Sequence, residues 1–203
     1  MSLPAPGTTT SDAHLDGAVW VAAELDEVAL EGASLRRLRG AGGTWSRSSF
    51  VDSALDGADL AGLVTSDCSL VRCTLDGARL TGSQWLRSRW RGVSGSDVVA
   101  EGLTAHGSSW SDVTLTGARL RELDLSDAQL QRVRFLDCDL TGARFHGARC
   151  SDVTVTGCRL DGVVGVTGLR GATVGWTDAV GLLPALAREL GVRILDDGGP
   201  SPR

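Results

Sequence analysis

The chain has 203 residues, a net charge of −5 and 27 glycines, and all 20 of its basic residues are arginines. This length suits one globular domain or one extended solenoid, and the mild acidity argues against a protein that binds nucleic acid by neutralising phosphates. No run of about 18 apolar residues occurs, so no membrane-spanning helix is predicted. The N-terminal segment lacks the features of a signal peptide, and the five cysteines form no CxxC pair. We therefore expect a cytoplasmic protein with reduced thiols.

A five-residue repeat dominates the chain after a short N-terminal segment rich in Thr, Ser and Pro. Every fifth position from Leu15 to Leu160 is the centre, i, of a pentad, which makes 30 consecutive pentads. Leu, Trp, Phe or Val fills 24 of these centres, and no charged residue lies at i or at i−2. A period of five fits neither an amphipathic helix nor a half-buried strand. It indicates a repeat architecture in which positions i and i−2 point inward.

The two inward positions compensate for each other in size. Leu38 precedes the small centre Gly40, whereas Ser83 precedes the large centre Trp85. Cores tolerate substitution best when the total side-chain volume is kept. We therefore predict that each i−2 and i pair shares one packing cell, and that the irregular pentads belong to the same continuous rod.

The motif A-(D/N)-L-x-x recurs along the repeat, as in Ala58-Asp59-Leu60, Ala78-Arg79-Leu80, Ala118-Arg119-Leu120, Ala128-Gln129-Leu130 and Ala143-Arg144-Phe145. Over residues 11–165 this pattern resembles the pentapeptide-repeat family. The resemblance implies an all-β fold, a right-handed quadrilateral β-helix of about 7–8 coils, in which each pentad forms one side and four pentads form one coil. Gly or Asp dominates position i+2, and these residues tolerate the positive φ that corner turns need.

A helix is predicted after the repeat ends. The stretch DAVGLLPALARELG has helical apolar spacing, Thr177 or Asp178 is placed to cap its start, and Gly191 is placed to end it. We accordingly divide the chain into four parts: a disordered segment at 1–11, the β-helix at 12–175, the helix and a short strand around Val192 and Ile194 at 176–195, and a disordered tail at 196–203.

This helix has two possible roles. A β-helix has to cover its last coil, because an exposed apolar end with unpaired backbone would aggregate, so the helix is either a cap alone or a cap that also forms a homodimer. The second role is implied by resemblance to family members that pair through C-terminal helices, and it agrees with more leucine than a short cap needs. The residues predicted at the dimer interface are Leu182, Leu183, Leu186, Leu190 and Ile194.

No catalytic site, metal site or cofactor is predicted. No GxSxG motif occurs, and the three histidines form no metal-ligand spacing with acidic residues. His106 and His146 fall on one side of the rod but two coils apart, about 10 Å, which is too far to ligate one ion. Cys138 and Cys158 should stack on adjacent coils. A disulfide is possible on distance alone, but a buried pair of thiols is the interpretation we favour in a reducing cell.

Surface charge is distributed unevenly over the four sides. The side centred on Leu25 and Leu125 has six acids against three arginines, and we predict that these acids bind a partner: Glu24, Asp26, Glu27, Asp67, Asp124 and Asp127. On the side of Leu60, the i−1 column reads Asp59, Arg79, Val99, Arg119, Asp139, Arg159. Opposite charges on neighbouring strands attract, so we expect much of this charge to pair between coils.

Two functions are compatible with such a rod. Resemblance to the quinolone-resistance Qnr and MfpA types implies a rod-shaped dimer that imitates duplex DNA in the saddle of DNA gyrase or another type II topoisomerase, and so protects against quinolones or other topoisomerase poisons. The absence of loop insertions makes the chain more similar to the MfpA type. No direct contact with nucleic acid or membrane is predicted. The alternative is a protein-interaction scaffold with an unrelated partner, because repeat rods expose long regular surfaces and fold alone does not determine a partner.

Overall fold

The computed structural model describes residues 3–194, which wind into a parallel β-solenoid closed by a C-terminal helix. Its strands have three residues each, apart from the two-residue β17. In chain order they are β1 (Thr9–Ser11), β2 (Glu24–Asp26), β3 (Ala29–Glu31), β4 (Thr44–Ser46), β5 (Ser49–Val51), β6 (Val64–Ser66), β7 (Ser69–Val71), β8 (Gln84–Leu86), β9 (Arg89–Arg91), β10 (Ser94–Ser96), β11 (Ser109–Ser111), β12 (Thr114–Thr116), β13 (Gln129–Gln131), β14 (Arg134–Leu136), β15 (Arg149–Ser151), β16 (Thr154–Thr156) and β17 (Thr173–Val174).

The strands form three parallel sheets, and each strand pairs with the strand one coil away. The orders are β1-β3-β5-β7-β9-β11-β13-β15, β2-β4-β6-β8 and β10-β12-β14-β16-β17. Paired residues are 20 apart, as in Leu30 and Phe50, so four pentads complete one coil. The exception is the last pair, β16 and β17, whose paired residues are 19 apart. We name the four sides of the rod after one pentad centre each: the Leu25, Leu30, Leu35 and Leu60 sides, in order around the rod. The Leu60 side has isolated bridges, such as the one between Arg39 and Asp59, in place of strands.

The interior is a single apolar column, which confirms the fold predicted from the five-residue period. Aromatic rings stack along it, with Trp90 and Trp110 parallel at 4.7 Å between ring centroids. Trp85 stands perpendicular to Trp90 at 5.2 Å, and its indole Nε1–H donates to the hydroxyl of Ser83 at 3.2 Å. The small i−2 residue before a large centre therefore supplies both space and a hydrogen-bond acceptor.

The corners between sides lie at position i+2, and all of the non-glycine residues with positive φ among residues 3–194 occupy this position. Asp and Gly were expected there. The structure also places arginines at these corners, for example Arg72 at φ 53° and Arg132 at φ 51°. Both arginines form ion pairs with an aspartate at the same corner of the preceding coil, Arg72 with Asp52 and Arg132 with Asp112.

The N-terminal segment is more ordered than its composition suggests. Disorder was predicted for residues 1–11, but β1 covers Thr9–Ser11 and pairs with β3, so the prediction is wrong for these three residues. The edge of β3 offers unpaired backbone groups, and the β-branched Thr9 and Thr10 suit an extended chain. Met1 and Ser2 lie outside the described residues.

The C-terminal end of the rod is covered by a 3₁₀ helix, Val166–Leu169, by β17, and by the helix α1, Trp176–Leu190. Leu182 and Ala185 of α1 are buried against the last coil. The backbone of α1 comes so close that a Cβ at Gly181 would lie 3.2 Å from the carbonyl carbon of Leu160. No helix within residues 3–194 is long and apolar enough to cross a membrane.

The ends of α1 differ partly from the prediction. Gly175 is the N-cap, not Thr177 or Asp178, and no side chain caps this end. Gly191 ends the helix as predicted, in the left-handed conformation at φ 69°. The short strand expected around Val192 and Ile194 is absent, because the N–H of Val192 turns back to the carbonyl of Ala187 at 2.8 Å. The predicted tail at 196–203 lies outside the described residues.

Candidate interaction surfaces

The N-terminal acids of the Leu25 side are bound by arginines of the next coil. Arg47 forms ion pairs with both Asp26 and Glu27, the latter at 3.0 Å. Asp67 pairs with Arg87 at 2.8 Å, and this hydrogen-bonded guanidinium lowers the pKa of the Asp67 carboxyl. These carboxylates therefore tie neighbouring coils together as well as facing solvent.

The remaining acids of this side have weaker contacts. The Asp124 carboxylate lies 4.0 Å from the guanidinium of Arg144, and the Asp127 carboxylate lies 3.8 Å from Nε2 of His106. Glu24 has no ion pair within residues 3–194. All six acids predicted to bind a partner lie on one side of the rod, but five of them approach a basic side chain, so the side is not a continuous acidic stripe.

An acidic column that was not predicted as a binding site lies on the opposite, Leu35 side, at position i+1. Oδ1 of Asp16 accepts the backbone N–H of Arg36 at 3.0 Å, and Oδ1 of Asp56 accepts that of Asp76 at 3.1 Å. Oδ1 of Asp76 in turn accepts the N–H of Ser96 at 2.8 Å. Each carboxylate thus reaches 20 residues along the chain to the next coil. The 20-residue spacing of Asp56 and Asp76 was the sequence signal that could have revealed this column.

Two further ion pairs link corners on the Leu30 side. Arg72 binds Asp52 through two nitrogens, at 2.6 and 2.7 Å, and Arg132 binds Asp112 at 2.6 and 2.9 Å. These hydrogen bonds lower the pKa of each carboxyl and raise the pKa of each guanidinium. The corner acids of this side therefore act mainly as structural links between coils.

The charges of the Leu60 side do not pair as expected. Among the described residues, none of the arginines in its i−1 column has an ion pair. The expectation of pairing between coils is therefore wrong for this column. Its acids instead bind backbone two residues ahead: Oδ1 of Asp59 accepts the N–H of Ala61 at 3.2 Å, and Oδ1 of Asp139 accepts that of Thr141 at 3.1 Å.

The outer face of α1 is an exposed apolar stripe. Leu182, predicted at a dimer interface, is only 5% exposed because it packs on the last coil, so that assignment is wrong. The other four predicted residues, Leu183, Leu186, Leu190 and Ile194, are exposed. The same stripe contains Trp176, 89% exposed, and Val180. Neither residue was predicted at the interface, although their i, i+4, i+7 spacing with Leu183 is visible in the sequence.

The cysteines are buried or half-buried, and all five are free thiols. Residues 3–194 contain no group of three or more His, Cys, Asp or Glu that could hold a metal ion. Cys138 and Cys158 do stack on adjacent coils, with the backbone N of Cys138 3.4 Å from Sγ of Cys158. Burial raises the pKa of the Cys68 and Cys73 thiols and raises that of Cys150 to about 11. Thiols with such pKa values are poor nucleophiles at neutral pH.

Comparisons with known proteins identify relatives of the fold. Residues 47–84, 103–136 and 124–162 match a family model described as pentapeptide repeats, in eight copies. A trypsin-treated variant of QnrB1, a plasmid-mediated fluoroquinolone resistance protein, is 15% identical, and the match covers 93% of this chain and 100% of that chain with a TM-score of 0.57. HetL, a pentapeptide-repeat protein from the cyanobacterium Nostoc involved in heterocyst differentiation regulation, is 16% identical over 82% of this chain and 89% of that chain, with a TM-score of only 0.23. The QnrB1 match supports the fold alone. No curated protein matched the sequence.

Proposed function

Because the chain belongs to the pentapeptide-repeat family, we propose that it is a non-enzymatic rod that imitates duplex DNA and binds DNA gyrase or another type II topoisomerase. The observation that carries this proposal is that acids lie on two opposite sides of an uninterrupted rod, the six Leu25-side acids on one and the Leu35-side column of Asp16, Asp56 and Asp76 on the other. Eight coils of about 4.8 Å give a length of about 38 Å, which equals roughly eleven base pairs at about 3.4 Å each. The fold shared with QnrB1, a fluoroquinolone resistance protein, adds support.

These two acidic sides would present carboxylates much as a duplex presents two phosphate strands. Glu24 is exposed, and Asp76 uses only Oδ1 for the neighbouring coil, which leaves its Oδ2 to accept a bond from a partner. Asp56 uses both oxygens within the rod, because Arg36 binds its Oδ2 at 3.4 Å. Complementary potentials steer association and specify the partner. Because Asp26 and Asp67 already bind arginines, basic groups of the partner have to compete with them. We therefore expect binding that weakens strongly with salt.

Homodimerisation through α1 is part of this proposal. Trp176, Val180, Leu183 and Leu190 form an apolar stripe that nothing else within residues 3–194 covers, and such a surface marks an interaction site. Two copies joined about a two-fold axis would cover it and double the length of the rod. We expect Leu183→Asp to convert a dimer to a monomer in light scattering, while Val21→Asp, an equally exposed position at the other end of the rod, leaves the mass unchanged. A wild-type mass equal to one chain would contradict dimerisation.

A scaffold for an unrelated protein partner is the second candidate. It is favoured by the arginine neighbours of four of the six Leu25-side acids, which reduce the negative potential of that side. In this case the regular sides of the rod would still bind a protein, but that protein would have no DNA-binding saddle.

A gyrase supercoiling assay separates the two candidates. We expect the purified protein to inhibit supercoiling at micromolar concentration and to reduce quinolone-induced cleavage. The double variant Glu24→Gln/Asp124→Asn should weaken inhibition, whereas Glu31→Gln, an exposed acid on the Leu30 side, should not. If neither inhibition nor protection is observed, the DNA-mimic proposal fails and the scaffold remains.

A further inference from the structure

The Leu60 side carries charges that have no ion-pair partner among residues 3–194. Its i−1 column carries one residue per coil, in the order Val19, Arg39, Asp59, Arg79, Val99, Arg119, Asp139 and Arg159. The arginines are exposed, whereas the intervening residues from Asp59 to Asp139 are half-buried. The column is therefore a row of projecting cations at every second coil, about 10 Å apart, with shallow acidic or apolar positions between them.

The order of these charges suits a second, antiparallel copy. The relevant two-fold axis lies in the contact plane, between the two rods and perpendicular to their long axes. It reverses the direction of the second rod, so that the i−1 column of one copy faces the i−1 column of the other. If this axis passes midway between the coils of Val99 and Arg119, Asp59 faces Arg159 of the second copy. In the same register Arg79 faces Asp139 of the second copy. By symmetry each of these pairs occurs twice.

The neighbouring i+1 column agrees with this register. Glu101 and Arg121 occupy adjacent coils of this column, both exposed and without ion pairs among the described residues. In the register above, Glu101 faces Arg121 of the second copy, and Arg121 faces Glu101 of the second copy. No two like charges face each other in either column. A shift of one coil places Arg79 opposite Arg119, and like charges across an interface are repulsive.

The side is also flat enough for another rod to approach. The corner next to these columns is glycine in six coils: Gly42, Gly62, Gly82, Gly102, Gly142 and Gly162. The i+1 column contributes only short side chains at Ala41, Ala61, Thr81 and Thr141. Within the six coils of the contact, from Asp59 to Asp161, the exposed side chains of the two columns are all charged, so the arginines of one copy can reach the half-buried carboxylates of the other.

We propose that the Leu60 side is a self-association surface on which a second copy of this chain lies antiparallel. The contact spans six coils, about 29 Å. It is separate from the Leu25-side acids, from the acidic column of the Leu35 side and from the outer face of α1. Interfaces that are small and polar are weak. The association therefore needs high protein concentration and low salt. Together with pairing through α1, it would join molecules into an open row, because two different two-fold contacts on one chain do not close.

Charge reversal tests the proposal in the full chain carrying Leu183→Asp, which removes association through α1. In sedimentation velocity we expect dimers at about 50 mM salt that dissociate at about 500 mM. Glu101→Arg or Arg121→Glu alone should raise the dissociation constant at least about tenfold, because each change converts two attractive pairs into repulsive ones. The double variant Glu101→Arg/Arg121→Glu should restore association. Arg91→Glu, an exposed arginine on the opposite side, is the matched control and should have little effect.

Cross-linking tests the register. Thr81→Cys combined with Thr141→Cys should give disulfide-linked dimers under mild oxidation, because these residues face each other in the proposed register. Ala41→Cys combined with Thr141→Cys, which would meet only after a two-coil shift, should not. A monomer at low salt, association that persists at high salt, failure of the double reversal to restore it, or cross-linking only in the Ala41 pair would each overturn the proposal.

Discussion

Replacing Trp110 with alanine removes a ring from the middle of the aromatic column. Its side chain is fully buried. The ring lies 4.7 Å from that of Trp90 with only 6° between the planes, and 6.4 Å from that of Phe135. Both neighbours belong to adjacent coils, so neither can close the cavity without moving a strand of the Leu30 or Leu35 sheet.

The expected cost follows from three contributions. Truncating a buried Trp or Phe to alanine destabilises a protein by about 3–5 kcal/mol. Because Trp110→Ala also removes the stacked contact with Trp90, we expect its truncation cost in the upper half of that range. Nε1 of Trp110 donates to no acceptor within residues 3–194, so removing it relieves an unsatisfied buried group worth about 1–3 kcal/mol. We therefore expect Trp110→Ala to lower the free energy of unfolding by about 3 kcal/mol.

Chemical denaturation followed by circular dichroism measures this change. Trp176→Ala is the matched control, because Trp176 is 89% exposed and its loss should change the free energy by less than about 0.5 kcal/mol. The dependence on denaturant should keep the wild-type slope if the rod still unfolds as one unit. A loss below about 1 kcal/mol for Trp110→Ala, or equal effects of the two substitutions, would refute the view that this column holds the rod together.

Three other predictions concern the cap, the corners and the thiols. In Gly168→Ala, the added Cβ would overlap the carbonyl oxygen of Phe145, so the cap must shift and urea unfolding should show a loss of about 1–3 kcal/mol; an unchanged midpoint would contradict this. The hydrogen bond from Arg72 holds the pKa of Asp52 below its ordinary 3.8, so the pair stabilises the fold above the ordinary value and loses this contribution as pH falls through the lowered pKa. The melting temperature of the wild type should thus fall more steeply in acid than that of Asp52→Asn, and parallel curves would argue against the pair. Cys150, with a pKa of about 11, should alkylate with iodoacetamide slowly until the protein unfolds, and rapid native labelling followed by mass spectrometry would contradict its burial.

The fold was predictable because one physical constraint repeats in every pentad. Positions i and i−2 have to be apolar or small, and the size exchange between Ser83 and Trp85 is visible in the sequence as well as in the core. The strand at Thr9–Ser11 was missed because the centre of that pentad, Thr10, is polar. Only the exposed edge of β3 explains why it is extended.

The predicted surface was less accurate, for a geometric reason. The 20-residue coil assigns each charge to a side, so it brings the Leu25-side acids together. Side-chain torsions then decide what each charge meets. Arg47 reaches Asp26 in the preceding coil, whereas Asp59 accepts the N–H of Ala61 in its own coil. Arg79 has no ion pair among residues 3–194. No pattern of residue types distinguishes these outcomes.

The sequence by itself therefore determined the solenoid, its register and the side on which each charge lies, because burial in a narrow rod requires apolar or small residues at two positions of every five. The tertiary structure decided which charges are neutralised, that Leu182 is used by the cap, and that Trp176 and Val180 are exposed. These properties depend on distances between coils and on how α1 docks against the last coil, and such distances arise only when residues 20 apart are brought together.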